Sequence, residues 1–134
     1  MHHTKDKGDI GVLFIAADLS QQGLKVMFPA CEHLPFDIVA YDEATSRFYR
    51  VQCKYRVATK DSIVVKLKTC YGTKHGVQTA RYDLGSFDIL ALYNPELNSV
   101  AYMKEVDLQS LQTSVTVRTD GKGRTFESLR DFPR

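Results

Sequence analysis

The chain has 134 residues, of which 43% are hydrophobic and 25% charged, and its formal net charge is +2. This length suffices for one domain with a sizeable apolar core, and the composition is that of an ordinary soluble globular protein. The small net charge excludes a bulk polycation, so any affinity for nucleic acid has to come from local clusters of basic residues.

The cysteines argue against a zinc protein. Cys31, Cys53 and Cys70 are odd in number and widely spaced, and the sequence contains no C-x-x-C pair. This usage favours a reducing compartment over a disulfide framework or a structural zinc site. We find no signal peptide and no apolar run of membrane length. We therefore expect a cytoplasmic protein with no membrane partner.

The first predicted element is a helix over residues 5–22, ended by Gly23. Lys5 and Lys7 lie near the positive end of the helix dipole, where they either suit an approaching phosphate or simply project into solvent. The predicted apolar stripe consists of Ile10, Leu13, Phe14 and Ala17, widened by Val12 and Leu19.

A short strand is predicted over residues 24–28, and residues 35–56 then predict two strands joined by a tight turn. The second of these strands, residues 47–56, alternates strongly between its two faces. One face carries Tyr49, Val51, Cys53 and Tyr55, and the other carries Phe48, Arg50, Gln52, Lys54 and Arg56. A face with so many polar and charged side chains indicates contact with something polar.

A four-residue turn pairs these strands so that Asp42 faces Arg47 and Asp37 faces Gln52. One face then holds the Asp37 carboxylate, the Gln52 amide oxygen and the Lys54 ammonium group. Carboxylate and carbonyl oxygens suit Mg²⁺, and a neighbouring lysine can orient or deprotonate a water or stabilise charge on a phosphate. The combination points to metal-dependent phosphodiester hydrolysis. The alternative is a β-hairpin with a solvated charged face.

The rest of the sequence predicts mostly strands. Residues 61–68 predict a strand whose lysines, Lys66 and Lys68, extend the basic face of residues 47–56. Residues 69–83 predict a long loop. The later elements are strands at 87–93, 100–103 and 115–118, a turn at 94–98, a short helix or loop within 104–111, a basic loop at 119–124 and a polar tail at 128–134. The sequence thus predicts a single α+β domain over residues 1–134, with a mixed sheet, an N-terminal helix packed on it, and flexible residues at 1–4 and 130–134.

The hairpin that follows the first helix resembles the PD-(D/E)XK nuclease superfamily. Asp37, Gln52 and Lys54 take the places of the motif residues in D-x(n)-(D/E)-x-K, with Gln52 in place of the second acid. The likeness is closer to the group I intron-encoded homing endonucleases of that superfamily. It is carried by KGDIG at 7–11, EHLPFD at 32–37 and QCKYR at 52–56, and more weakly by residues 86–103 and 115–124.

This resemblance implies a Mg²⁺-dependent, site-specific endonuclease of double-stranded DNA, encoded by a bacterium or phage. Asp37 and Gln52 would bind the metal, the backbone carbonyl of Cys53 would be a further ligand, and Lys54 would position the attacking water. Mn²⁺ could substitute for Mg²⁺, and Ca²⁺ would support binding without cleavage.

The third acid of the site is left open. Family members often carry a glutamate on the first helix, but the corresponding position here is Val12. Asp9, on the same helix face and within KGDIG, is the first candidate for a catalytic acid, followed by Glu32 as a metal ligand and Asp88.

DNA contacts are expected from twelve basic or polar side chains, with base contacts from the segment 69–83. They are Lys5, Lys7, Arg50, Arg56, Lys66, Lys68, Lys74, Gln78, Arg81, Arg118, Lys122 and Arg124. A chain of this size predicts a homodimer or homotetramer on a near-palindromic site. Two alternatives remain: a structure-specific nuclease that resembles Holliday junction resolvases, and a non-catalytic DNA-binding module on the same fold.

Overall fold

The computed structural model describes residues 3–73, 76–81, 85–109, 111 and 114–134, with only the backbone described for 68–73 and 76–81. The described residues form two helices and nine strands. They are α1 (Thr4–Gln21), β1 (Lys25–Met27), β2 (Ile38–Asp42), β3 (Arg47–Tyr55), β4 (Ser62–Lys66), β5 (Lys68–Thr73), β6 (Gly76–Arg81), β7 (Ile89–Asn94), β8 (Ser99–Lys104), α2 (Glu105–Leu108) and β9 (Ser114–Arg118). No helix within the described part of the chain is long and apolar enough to cross a membrane.

A mixed five-stranded sheet in the order β1-β2-β3-β7-β8 forms the centre of the domain. All neighbouring strands are antiparallel except β3 and β7, which are parallel. β3 is therefore the middle strand, and β7 is an interior strand whose residues are all buried. A single domain with this mixed sheet and an N-terminal helix packed on it confirms the predicted α+β fold.

Helix α1 packs on one face of the sheet through only part of the stripe that its sequence predicted. Leu13 is 63% exposed and Phe14 is 44% exposed. A Cβ atom added at Gly11 would lie 3.2 Å from the Cβ of Tyr55, so the helix approaches β3 closely at this glycine. This close approach selects the side of the helix that faces the sheet. The buried residues of α1 are Gly11, Ile15, Ala16 and Leu19.

The opposite face of the sheet is covered at one end by a second layer. β4 and β9 pair with each other in a separate two-stranded sheet. Their inward side chains form a second apolar core with residues of β7 and β8, including Leu90, Leu92 and Met103. The prediction that the strand at residues 61–68 extends the basic face of β3 was therefore wrong, because this strand belongs to the covering layer.

The segment predicted as a long loop is largely a β-hairpin. β5 and β6 pair in antiparallel register, with Lys68 opposite Arg81 and Thr73 opposite Gly76. Lys68, Gln78 and Arg81, three of the predicted DNA contacts, therefore lie on strands, and Lys74 lies outside the described residues.

The C-terminal residues pack against the domain. Phe132 is buried and meets the rings of Tyr49 and Tyr102 edge to face, at centroid distances of 5.0 and 5.5 Å. Its N–H donates to Oε1 of Gln22 over 2.6 Å. The prediction of a polar tail missed this contact, because a single phenylalanine does not give a periodic signal.

Candidate active site

The register of the β2–β3 hairpin is the one that the sequence predicted. Asp42 pairs with Arg47, and Ile38 pairs with Val51. Asp37 directly precedes β2, and its N–H donates to the carbonyl oxygen of Val51 over 2.9 Å. Asp37 thus lies across from the next residue of β3, Gln52.

The two faces of β3 also alternate as predicted. Tyr49 and Val51 are buried against the core beneath α1, and Cys53 and Tyr55 are partly buried there. The side chains of Gln52 and Lys54 therefore project from the other face.

The Asp37 carboxylate is held against the backbone of β3. Its Oδ2 accepts a hydrogen bond from the N–H of Cys53 over 2.9 Å. In an extended strand the N–H and C=O of one residue point to the same side. The Cys53 carbonyl is therefore directed toward the side on which Asp37 lies, just before β2 begins.

The thiol of Cys53 takes no part in this arrangement. It belongs to the face that packs under α1, and burial raises the pKa of the thiol far above its ordinary value. A protonated thiol within the core does not ligate a metal, so only the backbone of Cys53 can contribute.

Gln52 supplies the clearest sign of a ligand site. Its Oε1 atom is buried and has no hydrogen-bond partner among the described residues. A buried carbonyl oxygen without a partner is destabilising by about 1–3 kcal/mol. A cation bound to this oxygen would offset that penalty.

The residues present fit an oxygen-ligated divalent cation. They offer one carboxylate from Asp37, one amide oxygen from Gln52 and one backbone carbonyl from Cys53, which are the ligand types that Mg²⁺ prefers. Within the described residues, no three His, Cys, Asp or Glu side chains form a metal-binding group. Asp9 is exposed on α1. Glu32 is exposed in a loop, where its Oε2 atom lies 3.9 Å from Nε2 of His33. The roles predicted for Asp9 and Glu32 stay predictions.

Lys54 lies two residues beyond Gln52 on the same face of β3. It is partly buried, and the parallel register places it beside Leu92 of β7. Leu92 is fully buried beneath the β4–β9 layer. Lys54 thus lies at the border between the part of this sheet face that β4 and β9 cover and the part that they leave uncovered.

Arg50 and Asp88 form an ion pair next to Gln52. Nε and Nη2 of Arg50 each donate to the Asp88 carboxylate over 3.1 Å, and the backbone N–H of Arg50 donates to it over 2.8 Å. Burial raises the pKa of Asp88, but the hydrogen bonds from Arg50 outweigh it and hold this pKa below its ordinary value. Both carboxylate oxygens are engaged by Arg50, which argues against Asp88 as the third acid.

Sequence reasoning missed this pair, because it depends on the parallel register between β3 and β7. The same contact engages Arg50, which was predicted to bind DNA.

The other predicted DNA contacts are spread over several elements. Arg118 is paired with Asp120, whose carboxylate accepts from the arginine Nε over 2.9 Å. Arg56 donates to the backbone oxygen of Tyr55 over 2.8 Å. The remaining described candidates lie on α1 (Lys5, Lys7), on β4 (Lys66) and in the loop after β9 (Lys122, Arg124). All of these except the partly buried Lys7 are exposed.

Comparison with known proteins identifies the family. The sequence model of the PD-(D/E)XK endonuclease family matches residues 2–132. Among solved structures, the bacterial homing endonuclease I-Ssp6803I is similar in fold, with a TM-score of 0.73 and 22% identity over 92% of this chain and 84% of that chain. No curated protein matches the sequence significantly. Nucleases of this family generally use divalent metals. Because the family match extends over nearly all residues, the chain belongs to the PD-(D/E)XK endonuclease family.

Proposed function

We propose that this nuclease is a Mg²⁺-dependent, site-specific endonuclease of the homing type, which hydrolyses phosphodiester bonds in double-stranded DNA. The observation that carries the proposal is the cluster of Asp37, Gln52, the Cys53 backbone and Lys54, in which the buried Gln52 Oε1 atom has no partner among the residues that the structure describes. The family match supports nuclease chemistry. The similar fold of a bacterial homing endonuclease supports a site-specific enzyme.

Each residue has a separate role in this proposal. Asp37, the Gln52 amide oxygen and the Cys53 carbonyl hold the metal. The bound ion would supply positive charge that stabilises the charge developing on the phosphate. Lys54 donates hydrogen bonds to the attacking water and the phosphate, which orients the water and offsets negative charge.

Gln52 stands where the family motif has an acid, and this difference should lower the affinity for metal. Asp37 is the single carboxylate among the three proposed ligands, and Lys54 balances its charge. Fewer anionic ligands weaken the binding of a divalent cation. We therefore expect weak metal binding by the free protein and tighter binding when a DNA phosphate supplies further oxygen ligands.

The proposed assembly is a homodimer or homotetramer. One copy of the 134-residue chain carries one Asp37–Lys54 site, whereas a double-strand cut needs two hydrolysed bonds. Symmetric oligomers place two such sites on a near-palindromic target.

Cleavage of a random duplex pool mixed with four-way junctions tests the function. The pool is treated in Mg²⁺ with wild-type protein and with Asp37→Asn, an EDTA sample serves as the metal-free control, and the new ends are sequenced. We expect metal-dependent ends that converge on one duplex sequence and disappear with Asp37→Asn. Ends clustered at the junctions would replace this proposal with a structure-specific nuclease, and sequence-selective binding without ends would replace it with a DNA-binding module.

A further inference from the structure

A half-buried tyrosine and an exposed phenylalanine form an aromatic pair on the same sheet face as the candidate active site. Tyr41 of β2 and Phe48 of β3 are directly opposite each other in the hairpin register, and their ring centroids are 4.4 Å apart at a tilt of 35°. Phe48 remains 58% exposed. The residue parity of both strands places this pair on the face of Asp37, Gln52 and Lys54, away from α1.

The covering layer leaves this part of the sheet open. Among the described side chains, the apolar core beneath β4 and β9 includes residues of β7 and β8 but none of β2 or β3. Met27 of β1, opposite Val39 of β2, is 42% exposed on the same open face. Exposed aromatic and apolar side chains grouped on one face are typical of an interaction surface.

The turn beside the aromatic pair is anchored to the rest of the domain. The turn that follows Tyr41 begins at Asp42, which is buried and accepts from the N–H of Ala44 over 3.1 Å. Arg134 lies 3.2 Å from the same carboxylate. Burial raises the pKa of Asp42, but these hydrogen bonds outweigh it and hold the pKa below its ordinary value. The turn is thus tied to the C-terminal segment, which anchors the backbone beside Phe48.

Distance along β3 relates this pair to the reaction site. Phe48 precedes Gln52 by four residues, and their Cα atoms are therefore about 13 Å apart. Base pairs rise by about 3.4 Å along a duplex, so this spacing spans about four base pairs. A phosphate bound at Gln52 and Lys54 would place the neighbouring groove over the aromatic pair.

We propose that Phe48, supported by Tyr41, contacts base edges in the groove of the DNA, about four base pairs from the scissile phosphate. This inference rests on the proposed function, since it requires the phosphate to bind at Gln52 and Lys54. An aromatic ring gains little beside phosphates, but it packs favourably against thymine methyl groups and base edges. Phe48 is thus a residue that determines target sequence, and it takes no part in the chemistry.

A second protein copy fits this surface less well. Phe48 and Gln52 project from the same face of one strand, so a copy that covers Phe48 would also obstruct the path to the catalytic residues. DNA has to reach that face for the reaction to occur.

The test compares wild-type protein with Phe48→Ala, Phe48→Tyr and Leu13→Ala. Leu13 is the matched control, because it is 63% exposed and lies on α1, on the other side of the sheet. A random duplex pool is selected for binding in Ca²⁺ and cut in Mg²⁺, both bound and cut sequences are read, and sedimentation gives the oligomeric state. For Phe48→Ala we expect relaxed base preference in a short window about four base pairs from the cut and binding weaker on the order of tenfold. Phe48→Tyr and Leu13→Ala should keep the wild-type preference.

Three results would overturn the inference. An unchanged base preference in Phe48→Ala, while wild-type protein cuts at one sequence, removes the base contact and leaves the proposed function intact. Loss of self-association in Phe48→Ala with uniform relaxation across the site assigns the aromatic pair to a protein interface. A wild-type protein that neither binds nor cuts any duplex removes the proposed function and this contact together. If Phe48→Ala lowers the melting temperature, Phe48→Gln, which keeps a long side chain but removes the apolar ring, decides in its place.

Discussion

The two faces of the five-stranded sheet are built from alternate residues of the same strands, yet they have different functions. On the α1 face, Val51 and Ile38 are fully buried in an apolar core. On the other face, Gln52 directly follows Val51 and Asp37 directly precedes Ile38, and these two residues form the candidate active site. Since side chains of a strand alternate between faces, a step of one residue separates stability from chemistry.

The second face is itself divided between two environments. Leu90 and Leu92 are buried beneath β4 and β9, whereas Phe48 stands exposed at the other end. Gln52 and Lys54 lie at the border. Charges beside a low-dielectric layer interact more strongly than in water, so this position strengthens the action of Lys54 on a phosphate.

The largest effect should come from the neighbouring residues Ile38 and Asp37. Ile38→Ala should lower the free energy of unfolding by about 2–5 kcal/mol, because a fully buried side chain is removed from the core. Asp37→Asn should leave stability nearly unchanged and reduce cleavage on the order of 10²-fold or more. Urea denaturation and a cleavage assay on both variants check the contrast. Equal losses of stability in both variants would break the comparison between the faces.

Gln52→Leu should change the free energy of unfolding in the opposite direction from Ile38→Ala. The substitution removes a buried oxygen that has no hydrogen-bond partner in the described part of the chain. The variant in EDTA should therefore be as stable as wild type or more stable, by up to about 1–3 kcal/mol. Cleavage in Mg²⁺ should nevertheless be lost. Thermal melting in EDTA and cleavage in Mg²⁺ measure the two effects. A variant clearly less stable than wild type would mean that the Gln52 amide is a structural hydrogen-bonding group.

The smallest expected effect concerns the Arg50–Asp88 pair. Its side chains are 41% and 37% exposed, so the pair should contribute no more than about 1 kcal/mol. The pKa of Asp88 is lowered in the folded state. Its contribution is therefore present above the unfolded pKa of about 3.9 and is lost as the pH falls through the folded value. Urea denaturation of wild type and Asp88→Asn should show a stability difference at pH 7 that narrows below pH 4. A difference that stays constant over this range would contradict the ion pair.

The hairpin that holds the site could be predicted because its signals are local. Alternation fixes the faces of β3, and the four residues between Asp42 and Arg47 fix the register, so the positions of Asp37 and Gln52 follow from a short stretch of sequence.

The missed features depend on distant contacts. The first helix is apolar on several sides, and its buried side is selected by the approach of Gly11 to Tyr55. β4 pairs with β9, which is almost 50 residues further along the chain, and no local pattern specifies that partner. The same holds for the contact between Arg50 and Asp88. Within the described residues, Gln52 Oε1 lacks a hydrogen-bond partner because of how distant segments pack around it, and the sequence alone does not show that packing.

Lys54→Ala tests the central claim most directly, because Lys54 is assigned to the reaction and contacts only the scissile phosphate of the bound DNA. The measurement is single-turnover cleavage in Mg²⁺ of a duplex selected by the wild-type protein, together with the affinity for that duplex in Ca²⁺. The account predicts that Lys54→Ala loses cleavage by about 10²-fold or more while affinity is largely retained. Cleavage at the wild-type rate in this variant would contradict the proposed active site.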